Sequence, residues 1–124
     1  MNVQEKYQRL EDTVRQYNPG ANFDLIHAAF VYAEAHHRGQ NRKDGSPFIT
    51  HPLAVAQIVA QELHLDSESI AAALLHDTIE DTDATHEDIA RTFSPTIADI
   101  VEGVSKLTRV QAASKAEEQM ENLR

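Results

Sequence analysis

Apolar residues return along this chain at the spacing of helices almost from end to end. Val3 to Tyr17 reads as a first helix, closed by Asn18-Pro19-Gly20. Phe23 to His37 reads as a second, with Phe23, Ile26, Phe30 and Ala33 on roughly one face. Gly39 to Ser46 is polar and glycine-bearing, and predicts a loop. Pro52 is a good first helical residue, so a third helix is expected from there to about Leu63, with His51 at its N-terminus. Asp66 or Ser67 caps the next, which is expected to carry the run from Ile70 through Asp81.

The pattern continues beyond that run. Thr85-His86-Glu87-Asp88 approximates a capping box, with Asp88 where Glu is commoner, before a short helix through Phe93. Ser94 and Pro95 read as cap and first position of a helix to Leu107, with Ile97, Ile100, Val101 and Val104 at helical spacing. Ala112 to Arg124 looks like a polar helix. No strand alternation, repeat or low-complexity linker interrupts this order. The expected fold is an all-α bundle in one unit, with residues 1–21 as its N-terminal helix and turn.

Composition narrows the picture. With 41% apolar residues but only four Phe, three Tyr and no Trp, the core must be built from Ala, Leu, Ile and Val. Cysteine is absent, which excludes disulfides and thiolate metal sites. No apolar stretch approaches the ~20 residues of a membrane span, and the polar start Met1-Asn2-Val3-Gln4-Glu5-Lys6 is not a secretory signal, so the cytoplasm is the expected compartment. A net charge of −9 argues against general nucleic-acid binding, which relies on basic surface.

The chemistry concentrates in two places: His51, and His76-Asp77-Thr78-Ile79-Glu80-Asp81. On one continuous helix at ~100° per residue, His76, Asp77, Glu80 and Asp81 fall within an arc of roughly 140° and address one pocket. The unbroken apolar run Ile70 to Leu75 leads straight into these four groups. A helix buried along most of its surface carries charge inward only where that charge is paired or binds metal. Imidazole and carboxylate suit first-row divalent ions, and a mix without thiolate suits Mn²⁺ as well as Zn²⁺ or Fe²⁺. His27, His64 and His86 read as surface or packed residues, whereas His36 and His37, just before the loop, include a candidate donor beside the pocket.

These residues resemble the HD superfamily, and the longer pattern resembles the hydrolase domain of Rel/SpoT alarmone enzymes. The matching segments are Ala35 to Lys43, Gly45, Pro47 to Pro52, Ala72 to Thr82 and Val101 to Leu107. The resemblance runs from about residue 22 to the end of the chain. It departs from the family pattern at Asp44-Gly45-Ser46-Pro47-Phe48, where Ser or Thr followed by Gly-Glu-Pro-Tyr is common, and at Ser94-Pro95, where a glycine is usual.

What the resemblance implies is a Mn²⁺-dependent hydrolase that removes the 3′-pyrophosphate of (p)ppGpp, giving GDP or GTP, as part of the stringent response. It implies His51, His76 and Asp77 as metal ligands, Glu80 and Asp81 as assistants of water attack, and Arg42 and Lys43 as contacts to the nucleotide. A planar guanidinium can stack on a base or grip phosphate, and an ammonium offers a point charge. A bound ion with Arg38, Arg42 and Lys43 can dominate the local potential although the surface as a whole is acidic. The family also carries a further metal-ligating aspartate downstream of a segment like Glu121-Asn122-Leu123-Arg124. The 124 residues are therefore expected to be a partial hydrolase domain, short of one ligand, impaired in metal binding and hydrolysis, and prone to self-association. A synthetase domain would follow in a long parent protein. Two other readings stay open: an HD phosphohydrolase acting on a deoxynucleotide or cyclic nucleotide, and a non-catalytic module governing an attached synthetase.

Overall fold

A computed structural model describes residues 1–104 of the chain. The expected helices at Ala112–Arg124 and through Ser105–Leu107 lie outside the described residues, as does the C-terminal end of the Val101–Leu107 match.

Helix α1 spans Val3–Tyr17 and is fixed at its start by reciprocal bonds: the Asn2 side chain accepts from the Glu5 amide at 2.8 Å, and Glu5 accepts from the Asn2 amide at 3.1 Å. Helix α2 spans Phe23–His36 and is capped by Asn22. Helix α3, Thr50–Leu63, starts two residues before the expected Pro52, so His51 lies inside its first turn. It ends at His64, which takes the left-handed conformation and stacks on Tyr17 at 4.6 Å. Helix α4, Ser67–Leu75, is capped by Asp66, whose carboxylate accepts from the Ser69 amide.

The run from Ile70 to Asp81 is not one helix. It breaks at His76-Asp77, and α5 is a single turn, Thr78–Asp81. The break is made by side chains that take helix-end carbonyls: His76 Nδ1 lies 2.6 Å from the Ala73 carbonyl, and Thr78 Oγ1 donates to Leu75 at 2.7 Å. Helix α6, His86–Thr92, has the expected capping box of Thr85 and Asp88, and Ser94 caps the helical stretch at residues 95–104 through the Ile97 amide.

Helix α4 is the centre of the packing. It lies against α2 and α3, and α1 covers α3. Ile70, Ala71, Ala72, Leu74 and Leu75 are all buried, as a nearly all-round apolar sequence requires. Around them pack Leu10 and Val14 of α1, Ile26 and Phe30 of α2, and Leu53, Ala56 and Ala60 of α3. Among the described residues no strand forms; an isolated antiparallel bridge joins Asn41 to Pro47 within the loop. The fold is all-α.

Candidate metal centre and nucleotide cleft

Three elements meet at one end of α4. The first turn of α3 supplies His51, the end of α4 supplies His76, and the residue before α5 supplies Asp77. His51 Nε2 lies 3.2 Å and His76 Nε2 3.0 Å from Asp77 Oδ2. One ligand atom from each of the three lies within 4.8 Å of the others, a spacing that can hold a metal ion. Asp77 stands at the N-cap of α5 yet makes no side-chain cap bond, so its carboxylate is committed to the imidazoles instead of to the helix.

The tautomer of His76 decides what this cluster is suited to. Its Nδ1–H is engaged by the Ala73 carbonyl, which leaves Nε2 as a lone pair in the neutral ring. Asp77 Oδ2 is then buried with no hydrogen-bond donor. Lone pairs converging in a buried place are unfavourable unless a cation joins them. The donor set fits a divalent ion.

Electrostatics agree. Burial pulls the His76 pKa down, but its contacts with Asp77 and with the Ala73 carbonyl outweigh this and hold it above the usual imidazole value. Burial dominates at His51 and lowers its pKa, with the Asp77 charge only partly offsetting it. Burial pushes Asp77 up, yet His76 and the neighbouring imidazoles hold its carboxyl below the ordinary range.

Beside the cluster opens a cleft of about 700 Å³ whose wall includes Arg42, Lys43, Phe48, His51, Asp77 and Asp81. The loop that presents the two cations is held by its own turn chemistry. The Arg42 amide donates to the Ser46 carbonyl at 2.8 Å, and Asp44 Oδ1 accepts from both the Ser46 amide and hydroxyl at 2.9 and 2.6 Å. Gly45 sits at φ +88°, a left-handed conformation glycine adopts freely. The hydrogen bonds from Ser46 lower the Asp44 pKa.

Asp81 and Glu80, paired in the sequence reading, diverge in space. Asp81 lines the cleft; burial, with the charges of Asp77 and Glu80, raises its pKa. Glu80 is exposed and does not form part of that wall. His27 and His64 are exposed, His27 meeting Tyr7 edge-on and His64 stacking on Tyr17, and His86 pairs with Asp99 at 2.8 Å; none of the three belongs to the donor cluster. His37 is buried, 2% exposed, with its ring 4.5 Å from Phe48 of the cleft wall. Gln40 and Phe48 were not singled out from sequence; a glutamine one turn after a buried histidine was the available signal.

The family model for the HD domain matches residues 29–124. The chain belongs to the HD-domain family. This HD domain is 48% identical over 115 residues to a GTP pyrophosphokinase, rsh, of Brucella melitensis, an alignment covering 93% of the chain and 15% of that protein. It is 44% identical over 118 residues to the bifunctional (p)ppGpp synthase/hydrolase SpoT of Escherichia coli, covering 95% of the chain and 17% of SpoT. The HD domain thus spans only a small part of the length of these relatives, and the Rel/SpoT resemblance seen in its motifs holds over nearly all of it. A solved structure of a metazoan ortholog of SpoT, described as hydrolysing ppGpp, matches with a TM-score of 0.63 and 34% identity over 65% of this chain and 47% of that one.

Proposed function

We propose that this HD domain is a metal-dependent pyrophosphohydrolase that removes the 3′-pyrophosphate of (p)ppGpp to give GDP or GTP, acting in the cytoplasm as part of the stringent response. The observation that carries the reading is one cleft in which a half-buried His51-His76-Asp77 donor set adjoins the Arg42-Lys43 pair. The relatives support it, since SpoT of Escherichia coli is named a synthase and hydrolase of (p)ppGpp.

His51, His76 and Asp77 would hold the ion, for which Mn²⁺ is our choice. When bound, it supplies Lewis acidity and screens phosphate charge. Arg42 and Lys43 bind the nucleotide, the guanidinium through a base or phosphate and the ammonium as a point charge. Asp81, in the cleft wall, takes the proton of the attacking water, with Glu80 assisting from the exposed side. Water adds to the phosphorus on the 3′ oxygen, the bond between them breaks, and the proton ends on the 3′ oxygen.

The experiment is Mn²⁺-dependent release of pyrophosphate from ppGpp, with Asp81→Asn and Glu80→Gln beside the native chain. Loss of a general base costs ~10²–10⁴ in rate, and the larger loss is expected at Asp81. Turnover of deoxynucleoside triphosphates or cyclic nucleotides in preference to ppGpp would overturn the substrate assignment, and Mn²⁺ binding without any turnover would favour a regulatory module. Three donors leave coordination positions that a further carboxylate can fill. A longer chain carrying the downstream aspartate, and in a long parent a synthetase domain, should therefore bind Mn²⁺ more tightly than these 124 residues. Self-association of the shorter chain would proceed through apolar surface such as Ile58 and Leu63, which are 61% and 64% exposed.

A further inference from the structure

We propose that Gln40 is a positioning residue which, oriented by His37, pins the basic loop to the turn that bears Asp81. The proposal rests on the reading of the cleft given above and adds a device that sets the distance between its nucleotide-binding and hydrolytic sides.

Gln40 is bonded at every polar position it has. Its backbone amide donates to the His37 carbonyl at 3.0 Å and its carbonyl accepts from the Phe48 amide at 3.0 Å, which closes the two ends of the loop on one another. Its side-chain Nε2 donates to the Asp81 carbonyl at 2.7 Å, a contact across 41 positions of sequence. A carbonyl can only accept, so this bond fixes the orientation of the amide and leaves Oε1 facing His37 Nδ1 at 3.0 Å. Nδ1 must therefore carry the proton. The chain of donors runs one way, from His37 through Gln40 to Asp81.

The two ends of this relay explain its value. At one end, the Asp81 carbonyl is left without a partner by the end of α5, and Gln40 supplies what the helix cannot. At the other, His37 is buried with its Nε2 unpartnered, an unfavourable place for an imidazole unless its other nitrogen has work to do. Asp77 opens the α5 turn and Asp81 closes it, with the Asp81 amide bonded to the Asp77 carbonyl at 3.0 Å. Holding Asp81 thus holds the loop of Arg42 and Lys43 in register with the metal donors, while Gln40 itself touches none of them.

The test compares Gln40→Leu, Gln40→Glu, His37→Phe and His37→Asn in the native chain. Gln40→Leu removes both side-chain bonds. Gln40→Glu keeps an acceptor for His37 but loses the donor to Asp81. His37→Phe keeps the ring against Phe48 and removes Nδ1–H, whereas the asparagine amide restores an N–H near that position. The first three should lower kcat for ppGpp by about 10²-fold and raise KM, as small misplacements do, with Mn²⁺ affinity by calorimetry unchanged. His37→Asn should recover the turnover that His37→Phe loses. Native kcat and KM in Gln40→Leu, or a loss of Mn²⁺ affinity equal to the loss of turnover, overturns the proposal. Amide hydrogen exchange separates this from the substrate assignment, because it needs no substrate. In Gln40→Leu the amides of Arg42, Gly45, Asp81 and Thr82 should exchange about tenfold faster together, the effect of losing a shared tie. Unchanged exchange at both segments overturns the proposal even if ppGpp proves to be the wrong substrate, and preferential binding of another nucleotide over ppGpp with this exchange pattern intact rejects the substrate alone.

Discussion

The donor cluster and the basic loop face the same cleft, yet they are built in opposite ways. His51, His76 and Asp77 ride on helix ends whose inner faces are the core itself: Leu53 and Ala56 follow His51, and Leu74 and Leu75 precede His76, all of them buried. Arg42 and Lys43 are exposed on a loop that contributes no side chain to the core until Ile49, and its shape comes from turn hydrogen bonds and a glycine. The geometry of the donor cluster thus depends on packing, which is cooperative and hard to deform. The loop, the proposed nucleotide side, depends on local bonds worth about 1 kcal/mol each, where the proposed Gln40 tie would matter more than at the cluster.

The sharpest way to break the comparison is to remove the anion at the centre of the cluster. Asp77→Ala leaves two imidazoles, which hold a hard ion weakly, and Mn²⁺ affinity should fall by about 10²-fold or more with hydrolysis lost. Calorimetric titration that returned the native affinity would take Asp77 out of the ligand set. Because Asp77 makes no cap bond, the thermal midpoint should change little beside this loss.

Arg42→Ala probes the other region and should show the reverse pattern. A charge-assisted or bidentate contact contributes about 1.5–3 kcal/mol, so nucleotide affinity should fall by roughly 10–100-fold while Mn²⁺ affinity stays put. Equal losses in parallel titrations of metal and nucleotide would show that the loop and the cluster are one structural unit after all.

Where sequence succeeded and where it failed follows the same division. Helix positions, caps and core were legible because periodicity and capping chemistry are local: Asn18-Pro19-Gly20, Asp66, Thr85 and Ser94 all act where their residue types lead one to expect. The break at His76-Asp77 was not legible. Neither Gly nor Pro marks it, both residues keep right-handed helical dihedrals, and it is made by a histidine and a threonine reaching back to carbonyls. That break also resets Glu80 and Asp81 together relative to His76 and Asp77, and of the two only Asp81 lines the cleft. The relay through Gln40 was invisible because its partner is a backbone carbonyl 41 residues away, and a carbonyl has no sequence signature.

A pH titration sharpens the comparison with a gentler effect. His76 has its pKa raised above the ordinary ~6.5 by Asp77 and the Ala73 carbonyl despite burial, so proton and metal compete for the same Nε2. His51, with its pKa lowered chiefly by burial, is already neutral at that pH. Mn²⁺ affinity should therefore rise as pH increases through the raised His76 value, with release of a proton on binding. The sign for stability is opposite in the metal-free chain. The protonated His76 adds stability that is complete below the unfolded value and is lost as pH rises through the higher folded one. Calorimetry in buffers of different ionisation enthalpy reads the proton count. An affinity flat across this window would mean that His76 Nε2 is not a ligand.

The smallest effect separates loop geometry from loop charge by exchanging two glycines. Gly45 has φ +88° and open space around its missing Cβ, so in Gly45→Ala nothing clashes and only the backbone resists. The left-handed conformation costs an L-residue about 1–2 kcal/mol, which the turn can shed by opening the Arg42–Ser46 bonds. Gly103 also has open space for a Cβ, but it lies within the helical stretch at residues 95–104 and has no positive φ. There alanine should gain about 1 kcal/mol of helix stability. The two variants add the same methyl group with opposite expected signs. Gly103→Ala should raise the unfolding midpoint and leave nucleotide affinity alone. Gly45→Ala should weaken nucleotide binding several-fold, about what its ~1 kcal/mol of lost turn preference allows, with Mn²⁺ affinity unaltered because the donors sit on the helix ends. If Gly45→Ala instead weakened metal and nucleotide together, the loop would be shaping the cluster, and the division between a packed metal side and a turn-built nucleotide side would have to be abandoned.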